Sequence, residues 1–241
     1  MSEAIAVVIC AAGSSLRMGG IKKEYLKLKE QRDSFQALTV LGAGVRAFAA
    51  VPDVGIIVIA INEGTEAAAR EALPSEYLPG EKPKIIFVNG GNSRSISVYN
   101  ALSALVPHNP CYVLIHDGAR PWVNTSLIER VITAVKKHGA VIPLLPLTET
   151  PKECDAPLCE FSAADASAVF INKHLKRMNI GAAQTPQAFK FPDILYGHEK
   201  AAALNEQDFT DDAEIWGRFC GQVAAIPGDP ENRKITFPED L

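Results

Sequence analysis

The stretch that decides the fold lies near the start of the chain and reads Ala6-Val-Val-Ile-Cys-Ala-Ala-Gly-Ser-Ser-Leu-Arg-Met-Gly-Gly-Ile-Lys-Lys-Glu-Tyr-Leu26. It begins as an apolar run with the length and composition of a buried strand. The small residues and glycines that follow let the atoms of a ligand approach the backbone. Arg17, Lys22 and Lys23 come next, so the stretch predicts a strand that leads into a cationic loop.

Such a loop suits a phosphorylated ligand, because exposed N–H groups and fixed positive charges both face the anion. Spacing excludes two common phosphate-binding loops. The P-loop needs a glycine, four further residues and then Gly-Lys-Ser/Thr, but the fifth residue after Gly13 is Met18. The dinucleotide fingerprint needs Gly-x-Gly-x-x-Gly, which Gly13, Gly19 and Gly20 do not form. A surface loop with solvated lysines is the alternative.

The whole sequence limits the class of protein. Its 241 residues, 47% of them hydrophobic, suit one α/β domain with an appended excursion. Apolar runs stay well short of the roughly 20 residues that span a bilayer, and the first run lacks a basic flank before it. We therefore expect a cytoplasmic protein with no membrane segment. The net charge of −4 disfavours a general nucleic-acid binder.

The five cysteines are scattered and form no Cys-x-x-Cys pair, so zinc is not indicated. Cys10 and Cys111 lie in apolar, strand-like runs and are predicted as buried free thiols. Because the net charge of the chain is negative, any phosphate binding must depend on local basic clusters.

Apolar runs and helical spacing alternate along the chain. Buried strands are predicted from continuous apolar runs at 55–61, 84–89, 111–116, 140–145 and 222–226. Helices are predicted from apolar spacing and end signals at 34–50, 63–73, 125–138, 192–205 and 210–219. This order predicts an α/β fold in which a Rossmann-like, mostly parallel sheet is flanked by helices, in a single domain over residues 1–241.

Two strands are followed by segments that can bind ligands. The first segment is Gly90-Gly-Asn-Ser-Arg-Ser-Ile-Ser-Val-Tyr-Asn-Ala-Leu102, in which Asn92 or Ser93 can cap a helix that carries Arg94 and Ser97 near its start. A helix start of this type attracts anions or accepts hydrogen-bonding ligands.

The second segment is His116-Asp-Gly-Ala-Arg-Pro-Trp-Val123. Asp117 follows a buried strand directly and should point into the crevice at the carboxyl edge of the sheet, where open α/β folds bind ligands. Its carboxylate can ligate Mg²⁺, which also bridges substrate phosphates. An aspartate that only caps the turn before Pro121 is the alternative. His116 is predicted as a packed strand-end residue rather than a base.

These segments together resemble the 2-C-methyl-D-erythritol 4-phosphate cytidylyltransferases. The opening stretch, Gly-Gly-x-x-Arg-x-x-Ser-Val, His-Asp-x-Ala-Arg-Pro, Gln-Thr-Pro-Gln and the closing segment Gly228 to Leu241 occur in the order of that family and cover essentially the whole chain. The resemblance implies a fold of the nucleotide-diphospho-sugar transferase type. It also implies that CTP and 2-C-methyl-D-erythritol 4-phosphate give 4-diphosphocytidyl-2-C-methyl-D-erythritol and pyrophosphate, in non-mevalonate isoprenoid precursor synthesis.

The resemblance further implies a role for individual residues. It assigns catalysis to Arg17 and Lys23, and binding of Mg²⁺ to Asp117. It assigns contacts with the nucleotide to Ala11, Ala12, Gly13, Gly91, Asn92, Ser97 and Lys234. It assigns contacts with the acceptor phosphate ester to Arg120, Thr150 and Arg177. The chain departs from the family at Gly118, where alanine is usual, and Asn92 replaces an aspartate of some relatives.

Residues 146–183 interrupt the regular alternation with prolines, mixed charges and a strand-like Ala168-Val-Phe-Ile171. A segment of this length without helical periodicity indicates a functional excursion or a hairpin arm. The resemblance implies an extended β-arm that makes a homodimer, in which Thr150 and Arg177 reach the acceptor bound to the other chain. A turn threonine and a solvated arginine are the alternatives.

Two other functions stay open. A sister enzyme would use ribitol 5-phosphate or another polyol phosphate, although the Ala-Ala-Gly opening favours methylerythritol phosphate. A non-catalytic nucleotide-binding protein would use the same scaffold, and the presence of Arg17, Lys23, Asp117 and Lys234 disfavours it.

Overall fold

The computed structural model describes residues 5–14, 18–28, 38–77, 83–158, 168–206 and 208–241. In the first part of the chain, strands and helices alternate in the order β1 (Ile5–Cys10), α1 (Val40–Ala49), β2 (Val54–Ile61), α2 (Glu66–Glu71), β3 (Lys84–Asn89), α3 (Arg94–Leu105), β4 (Tyr112–Asp117), α4 (Thr125–His138) and β5 (Ala140–Pro146). The later part contains β6 (Lys152–Cys154), β7 (Ile171–His174), β8 (Gly181–Ala183), β9 (Gln187–Lys190), α5 (Phe191–Ala203), α6 (Asp212–Phe219) and β10 (Ala224–Pro227).

The central sheet has the strand order β10-β5-β9-β4-β1-β2-β3, with β8 paired to β5. Strands β4, β1, β2 and β3 are parallel to one another, and β10 is parallel to β5. Strand β9 lies antiparallel between β4 and β5, and β8 is antiparallel to β5. The predicted fold, a mostly parallel sheet flanked by helices, is therefore confirmed.

The apolar run at the start of the chain becomes the middle of this sheet, because β1 is covered on both faces. Successive side chains of a strand point to opposite faces. Val7 accordingly belongs to the core that α1 and α4 cover, whereas Val8 belongs to the core that α3, α5 and α6 cover. Among the described residues, no helix combines the length and the apolar character that a bilayer crossing requires.

The parallel register brings three strand ends to one edge of the sheet. Cys10 of β1 lies beside Asp117 of β4, and the Gly118 N–H donates to the Cys10 carbonyl at 2.9 Å. The Gly90 N–H, after β3, donates to the Ile61 carbonyl at 2.8 Å. The loops that follow β1, β3 and β4 therefore emerge side by side, as the sequence predicts for a ligand site of an open α/β fold.

Three predictions at element ends need correction. Helix α1 begins at Val40, where Thr39 caps it by accepting from the Gly42 N–H at 2.9 Å, and residues 34–37 of the predicted helix lie outside the described residues. Helix α6 begins at Asp212 and not at Thr210, because Asp211 is its N-cap. Cys111 is exposed rather than buried, since it precedes the first residue of β4.

The segment that interrupts the alternation contains a two-stranded antiparallel ribbon of β6 and β7, in which Lys152 pairs with His174. Only Ile171 of the predicted strand 168–171 lies in β7. Both ends of the predicted arm belong to the central sheet, since Pro146 of β5 pairs with Gly181 of β8. The ribbon thus extends from the sheet edge, and its exchange with a second subunit stays a prediction.

Candidate functional site

A cavity of about 420 Å³ opens at the carboxyl edge of the central sheet. The loops after β1, β3 and β4 line it, together with a 3₁₀ turn at Lys23–Tyr25 and the segment after β10. Several residues to which the sequence assigns ligand binding or catalysis line this cavity: Ala12, Gly13, Lys23, Gly91, Asn92, Ser97, Asp117 and Lys234. Residues far apart in the chain therefore meet where the sequence predicts a site.

The turn between β3 and α3 has room only for glycine. A Cβ at Gly90 would collide with the Cβ of Ala12, and one at Gly91 would collide with the side chain of Ile96. The Ser97 hydroxyl accepts from the Gly91 N–H at 3.0 Å and donates to the Ser93 carbonyl at 2.9 Å. Ser97 thus holds the shape of the turn, a role that the sequence does not indicate.

Helix α3 starts at this turn and faces the cavity with its N-terminus. Of the two predicted caps, Ser93 is the one used, since its hydroxyl accepts from the Ile96 N–H at 3.2 Å. Ser93 and Arg94 both line the cavity. The positive end of the helix dipole and the guanidinium group favour an anion there.

Asp117 lies at the centre of a cluster of cations. Its carboxylate is 2.9 Å from Lys234 Nζ, 3.5 Å from Arg94 Nε and 3.5 Å from Arg120 Nε. Burial raises the pKa of Asp117, but the three cations more than offset burial and hold it well below the usual range. One carboxylate therefore faces three cations, so this wall of the cavity keeps a net positive charge that suits an anionic ligand.

The 3₁₀ turn and the glycine-rich loop are tied to the rest of the molecule by lysines. Lys23 Nζ donates to the Ile235 carbonyl at 2.8 Å, and Lys22 Nζ donates to the Gly13 carbonyl at 2.7 Å. Burial lowers the pKa of Lys22, and the nearby Glu24 carboxylate opposes this shift. Arg17, the other predicted catalytic cation, lies outside the described residues.

The segment after β10 brings Lys234 to the cavity between two buried anchors. Asn232 is fully buried, and its side-chain amide donates to the Thr185 carbonyl at 2.7 Å. Ile235 is also fully buried, and its N–H donates to the Ala119 carbonyl at 2.9 Å. The Lys234 side chain is thereby held at the mouth of the cavity, 45% exposed.

His116 is a packed strand-end residue, as predicted. It is fully buried, its Nδ1 lies 3.0 Å from the Thr185 hydroxyl, and its Nε2 lies 3.1 Å from the Arg120 carbonyl. Burial lowers the pKa of His116 to about 4, so the neutral ring donates from Nε2. The Thr185 hydroxyl also accepts from the Asp117 N–H at 3.1 Å, which fixes the metal-ligand candidate to the sheet.

The remaining predicted site residues do not line the cavity. Ala11 is fully buried and its N–H donates to the Ala60 carbonyl at 2.8 Å. Arg120 lies beside Asp117, where its Nη1 donates to the Asn232 carbonyl at 2.9 Å. Thr150 and Arg177 are exposed at the ribbon. Their roles toward the nucleotide or the acceptor stay predictions.

Arg94, which lines the cavity, forms an ion pair with Asp212, which does not line it. Arg94 Nη2 lies 2.7 Å from Asp212 Oδ2, and Asp212 is fully buried. Asp211 caps α6, whereas Asp212, in the first turn of the same helix, also reaches this arginine. Burial opposes the charges of both Arg94 and Asp212, but their mutual attraction outweighs burial, so the pKa of Arg94 is raised and that of Asp212 is lowered.

The side chains of the cavity supply only some of the ligands that a magnesium ion needs. Asp117 and the buried Glu24 are carboxylates on the cavity lining, the ligand type that Mg²⁺ prefers. In the described part of the chain, no three histidine, cysteine or acidic side chains are grouped to hold a metal. An ion held by Asp117 would take further oxygen ligands from substrate phosphates and water.

The fold and the cavity define an α/β protein with an anion-binding site at the carboxyl edge of a mostly parallel sheet. The chain belongs to the IspD: 2-C-methyl-D-erythritol 4-phosphate cytidylyltransferase family, whose family model matches residues 5–241. The resemblance that the sequence motifs indicate is therefore confirmed.

Relatives of known name agree with this family. The chain is 38% identical over 244 residues to the bifunctional enzyme IspD/IspF of Bradyrhizobium sp. (strain BTAi1), covering 100% of this chain and 56% of the relative. It is 37% identical over 242 residues to the enzyme of the same name from Nitrobacter hamburgensis, covering 100% and 54%. The chain thus spans about half the length of the curated relatives it matches.

Solved structures of similar length share the fold. The 4-diphosphocytidyl-2C-methyl-D-erythritol synthase of Anaerococcus prevotii has a TM-score of 0.77 and 27% identity, over 100% of this chain and 95% of that one. The 2-C-methyl-D-erythritol 4-phosphate cytidylyltransferase (IspD) of Francisella tularensis has a TM-score of 0.74 and 27% identity, over 98% and 96%.

Proposed function

We propose that this chain is a cytidylyltransferase that joins CTP to 2-C-methyl-D-erythritol 4-phosphate and releases pyrophosphate. The observation that carries the proposal is a cavity lined by Lys23, Arg94 and Lys234, in which Arg94 and Lys234 contact Asp117. Membership of the family and the names of the solved relatives support the choice of substrates.

The reaction is a nucleotidyl transfer in which one phosphoanhydride bond replaces another. An oxygen of the acceptor phosphate forms a bond to the α-phosphorus of CTP, and the bond from that phosphorus to the oxygen bridging the β-phosphorus breaks. Pyrophosphate leaves with the electron pair. Because the nucleophile is already an anion at neutral pH, the protein must mainly align the reactants and neutralise charge.

Lys23 is the cation that we assign to the transition state, together with Arg17. Its ammonium group lines the cavity and is held by the Ile235 carbonyl, so it needs little rearrangement when charge develops on the phosphorus. Lys234 is assigned to the phosphates of the nucleotide. The turns at Gly13 and Gly91, with Ala12 and Asn92, are assigned to the nucleoside.

Mg²⁺ is the cofactor that we propose, with Asp117 as its protein ligand. When bound, it would neutralise and orient the triphosphate of CTP. Asp117 is suited to this role because it is ionised and fixed at the end of β4. Arg120, which contacts the same carboxylate, is assigned to the acceptor phosphate.

We also infer a homodimer formed through the ribbon of β6 and β7. Phe170, which precedes β7, is 74% exposed, and Met178, which follows it, is 88% exposed. Large apolar side chains clustered on a surface indicate a contact with another protein. In such a dimer, Thr150 and Arg177 would reach the acceptor bound to the other subunit. Because CTP is an intracellular nucleotide, the proposal places the activity in the cytoplasm.

The test is release of pyrophosphate from CTP and Mg²⁺, with 2-C-methyl-D-erythritol 4-phosphate and ribitol 5-phosphate offered in parallel. Release that needs the first acceptor supports the proposal. Release with ribitol 5-phosphate alone would move the function to another polyol phosphate. CTP binding in calorimetry without release from either acceptor would indicate a nucleotide-binding protein and not an enzyme.

A further inference from the structure

Arg94 stands between two carboxylates that lie on different elements. Its Nη2 is 2.7 Å from Oδ2 of Asp212, the first residue of α6. Its Nε is 3.5 Å from Oδ1 of Asp117, at the end of β4. The guanidinium group therefore makes its shorter contact with the residue outside the cavity and its longer one with the residue inside it.

Asp212 is not needed to cap its own helix. Asp211 performs that role, since its Oδ1 accepts from the Glu214 N–H at 3.0 Å and its Oδ2 accepts from Gln187 Nε2 at 2.8 Å. Asp212 itself is fully buried. Burying a carboxylate is unfavourable unless charged or polar groups compensate it, so the partners of Asp212 must offset the cost of its burial.

A second helix holds Asp212 from the other side. His198 of α5 is 1% exposed, and its Nε2 lies 3.3 Å from Asp212 Oδ1. The carboxylate is thus placed by α5 and α6 and directed at the guanidinium of α3. Asp117, by contrast, also has Lys234 and Arg120 within 3.5 Å.

We propose that Asp212 is a positioning residue that holds Arg94 in the cavity wall and limits its contact with Asp117 to the 3.5 Å approach of Nε. Without Asp212, the guanidinium group is free to close onto Asp117 as a bidentate pair, the preferred geometry of arginine with a carboxylate. That movement would remove a cation from the ligand-facing wall and occupy the carboxylate assigned to the substrate complex. The inference rests on the proposed function.

The test is Asp212→Asn, which keeps the shape of the side chain and removes its charge. We expect kcat/KM for CTP to fall about 10²-fold, the scale of a misplaced binding group. The dissociation constant of CTP should rise, while KM for the acceptor stays within a few-fold of wild type. Asp208→Asn is the control for the change of charge, because it makes the same substitution at an exposed residue four positions earlier.

A double-mutant cycle separates positioning from general destabilisation. If Asp212 acts through Arg94, then Arg94→Gln with Asp212→Asn should be no worse than Arg94→Gln alone. Penalties that add, or an Asp212→Asn variant within three-fold of wild type (roughly 0.7 kcal/mol), would overturn the inference. If Asp212→Asn does not fold, His198→Gln replaces it, with a smaller loss expected that also disappears in the Arg94→Gln background.

Failure of this inference differs from failure of the proposed function. If the wild type shows turnover and Asp212→Asn has the same kcat/KM, only the inference is overturned. A wild-type protein that binds CTP without turnover overturns the proposed enzyme, and the ratio of CTP dissociation constants between wild type and Asp212→Asn then decides the inference. Absence of CTP binding to the wild type would overturn both.

Discussion

Lys23 shows how a single side chain is prepared for chemistry by a distant part of the chain. It lies on a 3₁₀ turn near the start of the sequence, yet its ammonium group donates to the carbonyl of Ile235. We expect Lys23→Ala to lower kcat by about 10²–10³-fold or more, because one preorganised cation opposite developing charge is lost. Steady-state kinetics with circular dichroism as a check of folding would measure this.

The control for this change is Lys27→Ala, which removes an exposed lysine four residues further on. Its turnover should match wild type. A Lys23→Ala enzyme that retained turnover within a few-fold of wild type would remove Lys23 from the transition state.

A second prediction at this scale concerns Gly90, whose missing side chain lets β3 and the first loop approach. Gly90→Ala would press a Cβ into Ala12 and bring it 2.9 Å from Ser97 Oγ. We expect a loss of about 1–3 kcal/mol in the free energy of unfolding, the usual cost of overpacking, and weaker CTP binding. Urea denaturation and calorimetry measure the two effects.

Gly217→Ala is the matched comparison, because a Cβ there meets no atom within 4 Å and the residue is exposed inside α6. Alanine should stabilise that helix by about 0.5–1 kcal/mol. Equal effects of the two substitutions would show that the turn at Gly90 tolerates a side chain.

The ribbon of β6 and β7 is the element whose role depends most on a second chain. Phe170→Ser removes a ring that is 74% exposed, so it should not destabilise the isolated subunit. We expect it to shift the protein from dimer to monomer in analytical ultracentrifugation, because the ring would otherwise be covered at the interface. Turnover should fall with dimer content, since Thr150 and Arg177 would then be missing from the neighbouring site.

Leu204→Ser is the control for this prediction, since its side chain is 57% exposed and it is the C-cap of α5, outside the ribbon. A wild-type protein that sediments as a monomer at assay concentrations would refute the dimer before any variant is made.

Elements differ in how far the sequence predicts them. The strand at 84–89 and the helix at 125–138 have the predicted bounds, because polar residues mark both ends of the apolar run and the helical period is strong. The strand was predicted as buried, but β3 is only partly buried because it lies at the edge of the sheet. The start of α6 was misplaced by two residues, because Thr210, Asp211 and Asp212 are all acceptable caps in sequence. Only the fold reveals that Gln187 and Glu214 select Asp211.

The same limit applies to the site. The ends of β1, β3 and β4 were predictable as a ligand-binding edge from the strand pattern alone. The assembly of Arg94, His198 and Asp212 was not, because they come from α3, α5 and α6 and meet only when these helices pack on one face of the sheet. Ala11 and Ser97, in turn, use their polar groups to build the edge.

The net charge of the whole molecule and the charge of the cavity have opposite signs. The protein carries a net charge of −4, whereas the cavity presents Lys23, Arg94 and Lys234. Binding of CTP should therefore weaken steeply as salt rises, because screening reduces the local attraction. Titration calorimetry at several ionic strengths would measure the slope, with uncharged cytidine as the control ligand. A slope that is the same for both ligands would contradict a cationic site.

Strand β9 has a consequence for the order in which the molecule assembles. Among the described strands, it is the only one that pairs with both the β3-β2-β1-β4 half and the β5-β10 half of the sheet. A growing chain therefore makes β5 well before the strand that joins it to β4. Until residue 190 has been synthesised, β5 lacks the strand that joins it to β4, and its other neighbour, β10, is made later still.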